Sequence, residues 1–126
     1  MTKVLVDSSI WISWFKDRSA HPRLAQLIVE NQICTNELIL AELIPYLKFK
    51  KQDEIIEGLL NVEIVPLDIN WETIITFQLL NLRNGINKVG IPDLIILQNA
   101  VDKNLPLLTD DMHFKLMQRH TNVVLY

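Results

Sequence analysis

Cysteine occurs once in the 126 residues, at Cys34, so neither a disulfide framework nor a cysteine-based zinc site is available. A reducing, intracellular compartment is the expectation. Long apolar runs are also missing. The longest, "ELILAELIPYL" from Glu37, is interrupted by Glu42 and Pro45, far short of the roughly 18 uncharged residues a membrane span needs. Before Asp7 stand one lysine and the three-residue apolar run Val4-Leu5-Val6, which do not make a signal peptide. The expected location is cytoplasmic, with no membrane partner. An excess of positive charge is lacking too: the net charge is -3, which argues against a protein that simply coats nucleic acid. A metal-dependent nuclease is compatible with it, because bound cations neutralise its carboxylates. No repeat, low-complexity segment or linker interrupts the chain, and the length predicts one domain over 1–126.

What is present is an ordinary globular balance, 49% hydrophobic and 21% charged, enough for a packed core. Short apolar runs alternate with helical patterns. Residues 3–6, 33–35, 62–67, 106–109 and 122–126 read as strands. Helices are predicted from Ser8 or Ser9 to Lys16, over 22–31 with Pro22 in the first turn, and over 36–47 behind Asn36. Others cover 51–60, from Asp68 or Asn70 to Asn84, from Pro92 to Lys103, and over 111–119. This alternation predicts a parallel sheet covered on both faces. In such sheets ligands bind beyond the carboxyl ends of the strands.

Two apolar runs end in acid, "KVLVDSSIWI" at Asp7 and "LPLLTDDMHF" at Asp111. Glu42 stands among apolar residues of a helix, where an unpaired charge is costly. Asp93 follows Pro92 in the first turn of a helix, where the dipole alone favours an acid by roughly 0.3–1 kcal/mol. Asp7 and Asp111 taken singly also suit helix caps, and Glu42 suits a salt bridge. Together the four mean more. Two carboxylates about 5 Å apart repel by roughly 3 kcal/mol at an effective dielectric near 20, so a converging set needs a cation or protons. Oxygen ligands favour Mg²⁺ or Mn²⁺ over zinc. Lys48, Lys50 and Lys51 cluster, as a solvated surface or as contacts for RNA phosphates. Trp11, Trp14 and Phe15 share one helix face, mainly for packing.

The segments "VLVDSSIWI", "LILAEL", "PDLIILQNA" and "LLTDDMHF" resemble the PIN-domain family, most closely the VapC-like ribonuclease toxins of bacterial and archaeal toxin–antitoxin pairs. The resemblance spans essentially the whole chain. It implies a three-layer α/β/α fold on a five-stranded parallel sheet. By motif, Asp7, Glu42, Asp93 and Asp111 match the family's metal-binding acids, with Glu42 direct or through water. Thr109, Asp111 and Phe114 fit T-x-D-x-x-F, so Asp111 rather than Asp110 is the ligand, and Ser9 and Thr109 are hydroxyls near the metal. His113 stands where many relatives carry another acid, and Leu97 and Gln98 stand where small alanines are common.

The implied activity is a metal-dependent endoribonuclease holding one or two Mg²⁺ or Mn²⁺ ions. Metal-activated water hydrolyses the phosphodiester bond, leaving a 5′-phosphate and a 3′-hydroxyl. No histidine base is invoked. The implied partners are an RNA substrate, a cognate antitoxin that inserts an arginine among the acids, and a second copy in a homodimer. A catalytically silent PIN-like domain that binds RNA or protein is the alternative. Phosphotransfer folds fit poorly, since a receiver carries its acid pair early and a haloacid-dehalogenase-like phosphatase needs Asp where Ser9 stands.

Overall fold

The computed structural model describes residues 3–126. Its elements are β1 (Val4–Val6), α1 (Ser8–Lys16), α2 (Pro22–Val29), β2 (Ile33–Thr35), α3 (Glu37–Phe49) and α4 (Asp53–Leu60). There follow β3 (Glu63–Ile64), α5 (Trp71–Arg83), α6 (Ile91–Asp102), β4 (Leu107–Leu108) and α7 (Met112–Met117). The strands form one parallel sheet in the order β3-β2-β1-β4. β1 is buried throughout, as a central parallel strand with both faces covered must be.

The expected fifth strand, 122–126, is a single parallel bridge, Leu107 to Leu125. Leu107 N donates to Val124 O and Tyr126 N to Leu107 O, both at 2.9 Å. Its only neighbour, β4, is two residues long and offers no more ladder. The segment nonetheless occupies the fifth position beyond β4.

α6 is buried from Leu94 to Ala100, so its two interior amides need partners. Gln98 accepts from Asn70 N at 3.0 Å and donates to Asp68 O at 2.9 Å. Asn99 donates to Pro66 O and accepts from Asn36 Nδ2, both at 2.9 Å. Asn36 also caps α3 through Ile39 N at 2.9 Å. These bonds tie α3 and α6 together beneath the carboxyl edge of the sheet. No described helix is long and apolar enough to cross a membrane.

Candidate metal centre

β1 and β4 are neighbours, yet the chain leaves β1 toward β2 and β3 before returning to β4's side. The crevice between them is therefore a topological switch point, where α/β sheets place ligands. Asp7 directly follows β1, and Asp111 follows β4 as the residue that caps α7, accepting from His113 N at 2.9 Å.

Asp7 is 3% exposed. Its Oδ2 accepts from the Ser9 and Thr109 hydroxyls, each at 2.8 Å. Ser9 Oγ in turn accepts from Asp110 N at 3.2 Å, and Thr109 Oγ1 from Asp111 N at 3.0 Å. The two hydroxyls expected near the site thus lock one acid and stitch both strand ends together. Burial pushes the Asp7 carboxyl above its ordinary range, with a smaller contribution from the Asp111 charge, despite the opposing hydroxyl bonds.

Asp93 sits in the first turn of α6. Its pKa is pushed up to about 6, first by burial, then by the charges of Asp111 and Asp7. Glu42 is raised too, by desolvation and then by Asp7 and Asp93, while hydrogen bonding from Ser8 works the other way. Asp7, Asp93 and Asp111 are therefore within electrostatic reach of one another, and Glu42 is within reach of Asp7 and Asp93. α3 buries Ile39, Leu40, Leu43 and Leu47, whereas Glu42 lies on its exposed face rather than in the core, near enough for the charges of Asp7 and Asp93 to raise it.

His113 stands beside Asp111. Its Nδ1 lies 3.4 Å from Asp111 Oδ1, and Asp93, Asp111 and His113 each bring a donor atom within 4.8 Å of the others. A histidine thus does stand beside the acids. The signal was available: Asp111 caps α7, and a residue two positions later folds back over the cap. Asp110 turns away and pairs with His21 at 3.2 Å. Lys50 lines a groove that reaches Glu42, whereas Lys48 and Lys51 are exposed beside it. Cys34 takes no part, its buried thiol pushed up to about 12.

Carboxylates that raise one another's pKa, joined by an imidazole, suit a divalent cation, whose charge removes the repulsion and whose preference is for such donors. The residues fit the group.

The family model described as PIN domain matches residues 4–119. No curated protein gives a match. Among solved structures, a chain of the DNA-bound VapBC of Salmonella typhimurium aligns with a TM-score of 0.78 at 20% identity, covering 100% of this chain and 98% of that one. A chain of Rickettsia felis VapBC2, bound to a DNA fragment from its promoter, gives 0.73 at 21%, covering 99% and 98%. Mycobacterium tuberculosis VapBC-5 gives 0.71 at 20%, with 100% of both chains covered. At these identities the likeness is one of fold, and the family match over nearly the whole chain agrees with the switch-point geometry. The chain belongs to the PIN domain family.

Proposed function

We propose that this protein is a metal-dependent endoribonuclease, the VapC-like toxin of a toxin–antitoxin pair acting in the cytoplasm. The observation that carries the reading is geometric: Asp93, Asp111 and His113 bring donor atoms within 4.8 Å of one another, and Thr109 links Asp7 to the same strand end, in a member of a family whose fold neighbours are VapBC assemblies.

Asp7, Asp93 and Asp111 would hold one or two Mg²⁺ or Mn²⁺ ions, with His113 beside them and Glu42 ligating directly or through water. A cation held there would supply a more acidic bound water and positive charge beside the scissile phosphate. Ser9 and Thr109 keep Asp7 in one orientation, so the donor set is in place before RNA arrives. Lys48, Lys50 and Lys51 are exposed and would supply positive charge for flanking phosphates. An antitoxin that offers an arginine to the acids is the partner such a pocket accepts.

Purified chain incubated with a mixed RNA pool in Mg²⁺, Mn²⁺ or EDTA, with Asp7→Asn alongside, tests this. Expected is cleavage that needs metal and is lost in the variant. Intact RNA in every metal, from antitoxin-free protein, assigns the chain instead to a silent binding domain.

A further inference from the structure

Only Ile74 and Asn81 of α5 are buried, and the second is an amide with no exposed surface. A buried amide has to be bonded, and Asn81 bonds in three directions. Its Nδ2 donates to Gln78 Oε1 at 3.1 Å and to Met117 Sδ at 3.3 Å. Its Oδ1 lies 2.9 Å from His120 Nε2. With both amide hydrogens so used the oxygen can only accept, which assigns a proton to His120 Nε2.

The same cluster grips the chain between α5 and α6. Asn81 O accepts from Ile86 N, and Gln78 Nε2 donates to Val89 O, both at 2.8 Å. Ile86 and Val89 are buried on either side of the exposed Lys88, whose φ is +65°. A residue with a side chain stays in that left-handed region only when its surroundings hold it there. Gly90 then caps α6, and Asp93 follows in its first turn.

Two elements that carry candidate ligands therefore meet at one side chain. Where Val89 leaves the loop decides where Asp93 stands. Asp111 and His113 open α7, and Met117 lies one turn beyond His113 on the same side of that helix. The charges of Asp93 and Asp111 repel, and the bonds at Asn81 resist the separation. We infer that Asn81, through Gln78 and His120, is the positioning residue that sets the span between Asp93 on α6 and the Asp111–His113 pair on α7. With that span it sets the affinity of the centre for a divalent cation. The inference rests on the metal-binding part of the nuclease reading and is measured without RNA. A buried amide that served packing alone would alter melting and leave the affinity unchanged.

The test is titration calorimetry with Mn²⁺ on the whole chain, well below its melting temperature. Asn81→Leu, Gln78→Leu and His120→Leu are each expected to weaken binding about tenfold, as loss of an outer support does at other metal sites. His120→Gln, whose amide nitrogen can donate from the same place, should keep the parent's affinity. Ile33→Val, at the amino end of β2 and so at the opposite edge of the sheet, should melt lower and bind Mn²⁺ as the parent does. Should Asn81→Leu not fold, the variants at Gln78 and His120, both half-buried, decide the matter. If they bind Mn²⁺ like the parent, or if Ile33→Val loses as much, the inference is overturned even where metal-dependent cleavage stands. If the parent binds no divalent ion, the inference falls with the metal centre. If Mn²⁺ binds and no RNA is cut, while His120→Leu loses the affinity that His120→Gln keeps, the nuclease reading fails and the positioning role stands.

Discussion

At pH 7 the Asp93 carboxyl, with a pKa near 6, is ionised against its surroundings. The folded protein holds this proton between about pH 4 and 6, where the unfolded chain releases it, so metal-free stability falls as pH rises through that window and levels above it. Glu42 and Asp7 are shifted in the same direction. Asp93→Asn is therefore expected to raise the metal-free melting temperature at pH 7 by about 4 °C, an effect of about 1 kcal/mol for a half-exposed group, and to flatten its decline from pH 5 to 7. Mg²⁺ should stabilise the parent and not the variant. A variant that melts lower without metal would mean that the acids do not crowd one another. As a ligand, His113 would add a nitrogen donor, which favours Mn²⁺ over Mg²⁺. His113→Asn should narrow the difference in activity between the two ions; an unchanged ratio removes it from the metal's surroundings. Asp7, Asp93 and Asp111 were legible because strand ends and helix starts are marked by local sequence. Glu42 was found for an imperfect reason, since an apolar neighbourhood in sequence does not say which way a helix face points.

Asn36 joins two elements by one side chain. It caps α3 and donates to Asn99 of α6, and those helices carry Glu42 and Asp93. Asn36 is wholly buried, so Asn36→Ala removes a cap and leaves Asn99 Oδ1 without its donor together. The expected cost is about 2 kcal/mol, a fall in melting temperature of about 8 °C, with weaker metal affinity. Thermal unfolding and titration calorimetry measure the two; a stability loss with unchanged metal binding would separate the bracing from the site. The caps at Asn36 and the first-turn Pro22 were legible. For α5 the sequence left Asp68 and Asn70 equal; the helix begins at Trp71, so Asn70 is the cap and accepts from Thr73 N at 3.1 Å, while Asp68 pairs with Lys103. That partner is 35 residues away, and no local rule sees it. The final strand shortened to a bridge for a similar reason: its length depends on β4, not on its own residues.

The outer surface carries a stripe that local patterning does not explain. Trp71, Ile75, Leu79 and Leu82 are exposed along α5, spaced to fall on one side of it. Monomers rarely leave such faces to water, and a second copy is the expected cover. The double substitution Ile75→Lys with Leu82→Lys should convert a dimer to a monomer in light scattering behind size exclusion, with the fold retained; a monomeric parent removes the homodimer from the reading.

The hydrogen bond from Thr109 to Asp7 joins residues 102 apart in the sequence. On the ribosome Asp7 emerges long before the hydroxyl that orients it, and β1 waits for β4 while β2 and β3 are already available to pair. Only when synthesis has passed Phe114 can the crevice gain its second wall. The nascent chain therefore carries no finished crevice until more than a hundred residues after Asp7 have been made.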